Sequence, residues 1–137
     1  MRTRLYNGKE QIFCEWRHRW VRLTPEEWVR QQLLHRLVEQ FAYPQARIAV
    51  EAAIKVGEAH KRCDAIVYNT DMKPVILIEC KAETVHLTQK TLDQAVTYNR
   101  KLQVPYLILH NGPQTIIAHV KDQTLDYLNS IPLYNRL

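Results

Sequence analysis

Two carboxylates and a lysine lie within short apolar segments, where charged side chains are uncommon. Asp64 belongs to segment 62–68, and Glu79 and Lys81 belong to segment 75–81. Both segments are rich in β-branched and aliphatic residues, which is typical of buried strands, and the residues between them favour a turn. An antiparallel hairpin folded symmetrically about that turn places Asp64 directly opposite Glu79, with Cβ atoms roughly 4.5–5.5 Å apart.

This pair of opposed acids has two explanations. Like charges opposite each other destabilise a sheet, and carboxylates in apolar strands are costly unless they are paired or bound to a metal. A divalent cation would remove the repulsion, because Mg²⁺ is typically held by one or two carboxylates with water and substrate phosphate. Alternatively, Arg62 and Lys81 neutralise both acids in a surface salt-bridge cluster, since strand alternation puts Lys81 beside Glu79 with Arg62 across from it. Geometry alone leaves both explanations open.

The same residues resemble the signature of the PD-(D/E)XK nuclease superfamily. Asp64 is followed on the next strand by Glu79, Cys80 and Lys81, with Cys80 at the variable position and Cys63 where the signature has proline. The resemblance extends to the nuclease domain at the N-terminus of type I restriction enzyme R subunits, including its small stand-alone relatives. It covers about 12–120 and is carried by four blocks in the family's order: 20–31, 61–64, 78–82 and 94–99.

This resemblance implies an α/β (α+β) fold with a restriction-endonuclease-like mixed β-sheet flanked by helices. The implied activity is metal-dependent hydrolysis of DNA phosphodiester bonds by a restriction or DNA-processing endonuclease that uses Mg²⁺ or Mn²⁺. A non-cleaving DNA-binding or regulatory subunit on the same scaffold is the alternative.

The resemblance also assigns roles to individual residues. Asp64, Glu79 and the backbone carbonyl of Cys80 would hold one Mg²⁺, or two. Lys81 would orient the attacking water and stabilise the charged transition state. Gln94 would lie beside the catalytic centre and contact the substrate, as the glutamine of the Gln-x-x-x-Tyr motif does in related nucleases.

Three further residues are accessory candidates. In related nucleases the first helix brings another polar side chain toward the metal, and Gln31 is the best positional match, because Glu27 already has a capping role. Tyr98 follows Gln94 by four residues and shares its helix face. Arg62, which is expected to lie across the hairpin from Lys81, is the third accessory candidate. Ordinary helix surface is the alternative for Gln31, Gln94 and Tyr98.

The positive charge of the chain is concentrated at its start. The 137 residues carry a formal charge of +5, which is a mild bias toward polyanions, and segment 1–24 holds most of the excess. Arg17, Arg19 and Arg22 interleave with Trp16 and Trp20, a mixture that suits the phosphates and bases of nucleic acid. The alternative is an extended element whose tryptophans pack on the core while its arginines face water.

Length and composition set the remaining expectations. The chain is expected to form one domain over 1–137, with 1–24 as a basic arm. Cys14, Cys63 and Cys80 are expected to be reduced thiols in a cytoplasmic protein, and no apolar run suggests a membrane span. The partner would be DNA, with weak sequence preference. Cutting both strands would need a homodimer, and any motor or specificity subunit would be a separate polypeptide.

These side chains must be positioned by a small set of elements. Thr24 and Pro25 predict the start of a first helix that runs to about Phe41, and a second helix is expected to begin near Thr88. The remaining predicted elements are a strand over 46–57 that ends in a turn at Gly57-Glu58, strands over 104–110 and 115–120, and a short helix over 123–130.

Overall fold

The strands and helices follow one another with short connections. The computed structural model describes residues 1–51, 53–56 and 59–137. In chain order its elements are β1 (Thr3–Tyr6), β2 (Lys9–Cys14), β3 (Arg19–Arg22), α1 (Pro25–Phe41), β4 (Ile48–Val50), β5 (Ala53–Val56), β6 (Ala59–Arg62), β7 (Ala65–Tyr68), β8 (Pro74–Cys80), α2 (Gln89–Leu102), β9 (Tyr106–His110), β10 (Thr115–Lys121) and β11 (Thr124–Leu128), with short 3-10 helices at Gln45–Arg47 and Tyr134–Arg136.

A six-stranded mixed sheet carries the site. Its strand order is β11-β10-β9-β8-β7-β4, and β8 and β9 are its parallel neighbours, while the other adjacent pairs are antiparallel. The helix α2 connects the two parallel strands, as a parallel pair requires a crossover. The predicted mixed sheet with flanking helices is therefore confirmed.

Each face of the sheet is covered by one helix. On one face Leu33 and Leu37 of α1 share a core cluster with Ile76 and Ile78 of β8. On the other face the α2 residues Leu92 and Ala95 share a cluster with Leu77 and Leu107. Successive strand residues point to opposite faces, so the uninterrupted apolar runs of β8 and β9 supply both cores.

The hairpin β7–β8 has the register that the sequence predicts at its functional end. Ala65 pairs with Ile78 and Val67 with Ile76, and a bulge follows Val67 close to the turn. Continuing this register by one residue places Asp64 across from Glu79. The expected strand over 62–68 is, however, interrupted before Ala65, and the carbonyl of Asp64 accepts a hydrogen bond from the backbone N–H of Glu51.

Both predicted helix starts are confirmed. The Thr24 hydroxyl accepts from the backbone N–H of Glu27 at 3.0 Å, and the helix α1 runs from Pro25 to Phe41. Thr88 caps α2, and its side chain and that of Thr91 form a capping box. These local hydrogen bonds satisfy N–H groups that have no partner within the helix, which fixes where each helix begins.

Two other predicted elements differ from the structure. The expected strand over 46–57 is split into β4, which pairs with β7, and β5, which pairs with β6; the expected turn at Gly57-Glu58 lies outside the described residues. The expected helix over 123–130 is wrong, because this segment contains β11. Asp122 and Gln123 both have positive φ, which makes the tight turn of a β-hairpin, and Leu125 and Leu128 then pack against the two cores.

The basic arm is a three-stranded antiparallel sheet in the order β1-β2-β3. Ile12 and Cys14 are its buried residues, and Cys63 and Cys80 are buried in the main core, so all three cysteines are buried thiols without a disulfide. Among the described residues, neither helix combines the length and the apolar character that a membrane crossing requires.

Candidate functional site

A polar cavity of about 310 Å³ opens at the end of β8. Six of the residues singled out in the sequence contribute to its wall: Asp64, Glu79, Lys81, Gln94, Arg62 and Tyr98. Other wall residues are Glu26, Arg30, Glu51, Cys63, Thr91 and Ala95. The structure thus brings together the predicted acids, the predicted lysine and the face of α2 that carries Gln94 and Tyr98.

Asp64 is held by contacts to both of its carboxylate oxygens. Its Oδ2 accepts a hydrogen bond from the backbone N–H of Cys80 at 2.7 Å, and its Oδ1 lies 3.3 Å from Nη2 of Arg30. The residue is only 9% exposed. The charge-assisted bond to Cys80 links the loop before β7 to the end of β8, and so orients Asp64 toward Glu79.

Glu79 makes no ion pair with any other described residue. Burial raises the pKa of Glu79 to about 8; the Asp64 charge and a hydrogen bond with Asp64 add to the rise, and Lys81 opposes it. Among the described residues, Oε1 of Glu79 is buried without a hydrogen-bond partner. Below pH 8 Glu79 therefore retains a proton unless a cation compensates its charge.

The helix α1 supplies two wall residues that the sequence analysis did not select, Glu26 and Arg30. Burial raises the pKa of Glu26 and the charge of Asp64 adds to the rise, while Lys81 and Arg30 oppose it. Glu26 and Arg30 are four residues apart and share a helix face. This spacing is the signal in the sequence that could have identified the two residues, but it can be used only when the side of α1 that faces the sheet is known.

Glu51 is a third wall residue without a sequence-derived role. Its carboxylate lies 3.4 Å from Arg17 and from Arg30, and 3.8 Å from Arg62. Burial favours the neutral form of Glu51, but these guanidinium groups outweigh it and lower its pKa. Glu51 therefore links the loop before β7 to the arginines around the cavity.

The predicted accessory role of Gln31 does not match its position. Gln31 is fully buried, and its Nε2 donates to Oε2 of Glu27 at 3.1 Å instead of reaching the cavity. Glu27 in turn binds Arg17 at 2.6 Å. The residues of α1 that line the cavity are instead Glu26 and Arg30.

The predicted nucleic-acid contacts of the arm also need correction. Arg17 is mostly buried in ion pairs with Glu27 and Glu51, so its guanidinium is not available at the surface. Arg19 and Arg22 are exposed, but they are three residues apart in one strand and lie on opposite faces of the small sheet. These three arginines therefore do not form one phosphate-binding surface.

The chemistry of the donors suits a hard divalent cation. Among the described residues, no group of three His, Cys, Asp or Glu side chains is arranged to hold a metal. Two carboxylates with a backbone carbonyl and water are nonetheless a normal Mg²⁺ environment. Burial raises the pKa of the Cys63 thiol to about 12 and also raises that of Cys80, so neither supplies the thiolate that a soft metal prefers.

The comparisons with known proteins agree with this fold. A family model described as type I restriction enzyme R protein N terminus (HSDR_N) matches residues 25–132. No curated protein matches the chain. A solved fragment provisionally assigned as the HsdR subunit of a type I restriction enzyme from Vibrio vulnificus YJ016 matches with a TM-score of 0.60 and 16% identity, over 82% of this chain and 24% of that chain.

A second solved structure, from Anabaena variabilis ATCC 29413, is a DUF820 protein provisionally assigned as a nuclease. It matches with a TM-score of 0.55 and 10% identity, over 98% of this chain and 84% of that chain. At these identities the two structures support the fold alone, and the chain spans about a quarter of the HsdR fragment. The family model covers most of the chain, and the protein therefore belongs to the family of the type I restriction enzyme R protein N terminus.

Proposed function

We propose that this protein hydrolyses DNA phosphodiester bonds with Mg²⁺ or Mn²⁺ held by Asp64 and Glu79. The observation that carries the proposal is the buried Oε1 of Glu79, which has no hydrogen-bond partner among the described residues although Glu79 lines a polar cavity with Asp64 and Lys81. A buried carboxylate oxygen without a partner is costly, and a bound cation would compensate it. Membership of a restriction-enzyme family supports the same conclusion.

Asp64, Glu79 and the backbone carbonyl of Cys80 are the proposed ligands. A bound cation would supply a water of lowered pKa and would neutralise charge on the phosphate. The backbone N–H of Cys80 already holds Oδ2 of Asp64. Cys80 is therefore proposed to orient Asp64 with its N–H and to supply its own carbonyl oxygen as a further ligand. Cation binding would require the proton of Glu79 to leave.

The cations and amides of the wall are proposed to act on the substrate. Lys81 lines the same cavity as the two acids. Its ammonium would orient the attacking water and stabilise charge in the transition state. Gln94 and Tyr98 face the same cavity from α2 and would position the nucleic-acid backbone. Contacts of this kind bind phosphates, so we propose weak sequence preference and steep salt dependence.

A non-cleaving DNA-binding or regulatory subunit is the second candidate. The contact between Arg30 and Asp64 favours it, because the guanidinium takes up a carboxylate that the metal would need. Cleavage of both DNA strands would require a homodimer, and a motor or specificity subunit is a further proposed partner. A cytoplasmic location fits either candidate.

Plasmid cleavage tests the proposal. Supercoiled and linear DNA are incubated with the protein and Mg²⁺ or Mn²⁺, and Glu79→Ala and Lys81→Ala are compared with the exposed controls Glu83→Ala and Lys90→Ala. We expect cleavage by the wild type and both controls, and a loss of about 100-fold or more in the two site variants. Binding without cleavage would support the second candidate, and equal cleavage by all five proteins would identify a contaminant and contradict the proposal.

A further inference from the structure

One face of the N-terminal sheet combines cations and aromatic rings. Alternate residues of each strand share this face, and the strand register aligns Arg4 with Gln11 and Arg22, Phe13 with Trp20, and Tyr6 with Lys9. We call it the basic-aromatic face, and its members are Arg2, Arg4, Tyr6, Lys9, Gln11, Phe13, Trp20 and Arg22.

The positive charge of the basic-aromatic face is almost uncompensated. Glu10 falls on the opposite face, beside the buried Ile12. Among the described residues, Arg4, Lys9 and Arg22 take part in no ion pair, and Arg2 makes a single contact to Glu15 at 4.0 Å. Arg17 and Arg30, in contrast, are each surrounded by acids. Four cations that share one distant acidic contact are a surface for a polyanion.

The rings and guanidinium groups of this face alternate. The guanidinium of Arg4 lies 4.3 Å from the ring of Trp20 and 4.6 Å from that of Tyr6. Arg2 lies 4.2 Å from the ring of Phe13 and 5.9 Å from that of Trp20. Arginine planes stacked on aromatic rings extend the flat surface on which unpaired bases can stack, and Arg2 and Arg4 are both exposed to solvent.

We propose that the basic-aromatic face binds single-stranded nucleic acid, with its cations on the phosphates and its rings and stacked guanidinium planes under the bases. Interleaved aromatic and basic side chains on a β-sheet bind single strands in this manner, whereas paired bases in a duplex do not expose their flat faces. The sheet lies outside residues 25–132 that the family model matches. The proposal goes beyond the proposed cleavage and does not depend on it.

The position of this sheet connects it to the cavity. Arg17 lies in the turn between β2 and β3, and its guanidinium contacts Glu51, a residue of the cavity wall. A nucleic-acid strand bound to the basic-aromatic face would therefore lie on a sheet that contacts the cavity wall through Arg17.

Binding in EDTA tests this surface while excluding cleavage. Fluorescence anisotropy of a labelled oligo-dT is measured against salt for the wild type, for Arg4→Ala/Arg22→Ala, and for the control Arg100→Ala/Lys121→Ala, which removes two exposed cations elsewhere. We expect the face variant to bind about tenfold more weakly and to lower the slope of log K against log salt by about 1.4, or about 0.7 for each lost phosphate contact. The control is expected to retain the wild-type slope.

The stacking contribution is tested by Trp20→Leu with Trp28→Leu as its control, because Trp28 is an exposed tryptophan of α1. Loss of Trp20 is expected to weaken binding about tenfold without changing the salt slope. Equal binding by wild type and Arg4→Ala/Arg22→Ala, or equal affinity for duplex DNA or polyglutamate, would overturn the proposal. Because binding is measured in EDTA, without the metal that the proposed cleavage needs, a failure of the nuclease proposal would leave this result unchanged. Thermal melts by circular dichroism identify any variant that does not fold.

Discussion

Nη2 of Arg30 lies 3.3 Å from Oδ1 of Asp64, so an arginine of the first helix holds an acid of the candidate metal site. Both side chains are only 9% exposed, and the contact is therefore little screened by water. With Asp64 paired to Arg30 and Glu79 protonated below pH 8, the cavity is balanced without a metal. Metal binding would have to loosen the contact between Arg30 and Asp64 and remove the proton from Glu79.

Replacing Arg30 separates its two effects. In Arg30→Gln we expect the metal-free protein to lose about 3 kcal/mol of unfolding free energy, because Asp64 is left buried without its partner. We also expect tighter Mg²⁺ binding, because a competing positive charge is gone. Thermal melts with and without Mg²⁺ should therefore show a larger metal-induced rise in Tm for the variant than for the wild type.

Arg36→Gln, an exposed change on the same helix, is the matched control and should resemble the wild type. A smaller metal-induced rise in Arg30→Gln than in the wild type would show that Arg30 supports the metal site instead of competing with it.

Glu79 should make the metal-free stability depend on pH. The pKa of this carboxyl is raised from 4.5 to about 8 in the folded protein, so between these values the folded state keeps a proton that the unfolded state loses. The unfolding free energy must then fall as pH rises through this window, by on the order of a few kcal/mol. Urea unfolding in EDTA below and above the window measures the fall, and Glu79→Gln should show much less of it. Parallel pH profiles for the two proteins would contradict the raised pKa.

Mg²⁺ binding should release this proton. Below pH 8 the cation must displace the proton of Glu79, whereas well above that value the carboxylate is already ionised. Titration calorimetry in buffers of different ionisation enthalpy gives the number of protons released. We expect a release that approaches one proton per site near neutral pH and disappears above the window. A release independent of pH would mean that another group titrates.

The elements that hold the two acids were predictable because their signals are local. The turn residues between the two apolar runs set the hairpin register by symmetry, and this register puts Asp64 across from Glu79. Thr24 and Pro25 determined the start of α1 by local capping. Gln94, in contrast, was assigned from the family resemblance and not from a local pattern.

The other wall residues depend on tertiary packing, which sequence patterns do not specify. Glu26 and Arg30 line the cavity from α1, but only the packing of this helix on the sheet decides which of its polar residues do so. Arg17 was assigned to the surface because its acidic partners, Glu27 and Glu51, are distant in sequence or in a different element.

Glu26 is expected to tune the site from α1. Burial is the main cause of the raised pKa of Glu79, but the charges of Asp64 and then of Glu26 add to it. Glu26→Gln should therefore lower the pKa of Glu79, and the rising limb of the cleavage rate against pH should move to lower pH. We also expect a loss of about 10- to 100-fold in rate, the usual effect of removing a group that supports metal ligands. Glu39→Gln, an exposed change on the same helix, should leave both the rate and the pH profile unchanged. A loss of rate with an unmoved pH profile would mean that Glu26 supports folding or substrate binding and does not act on Glu79.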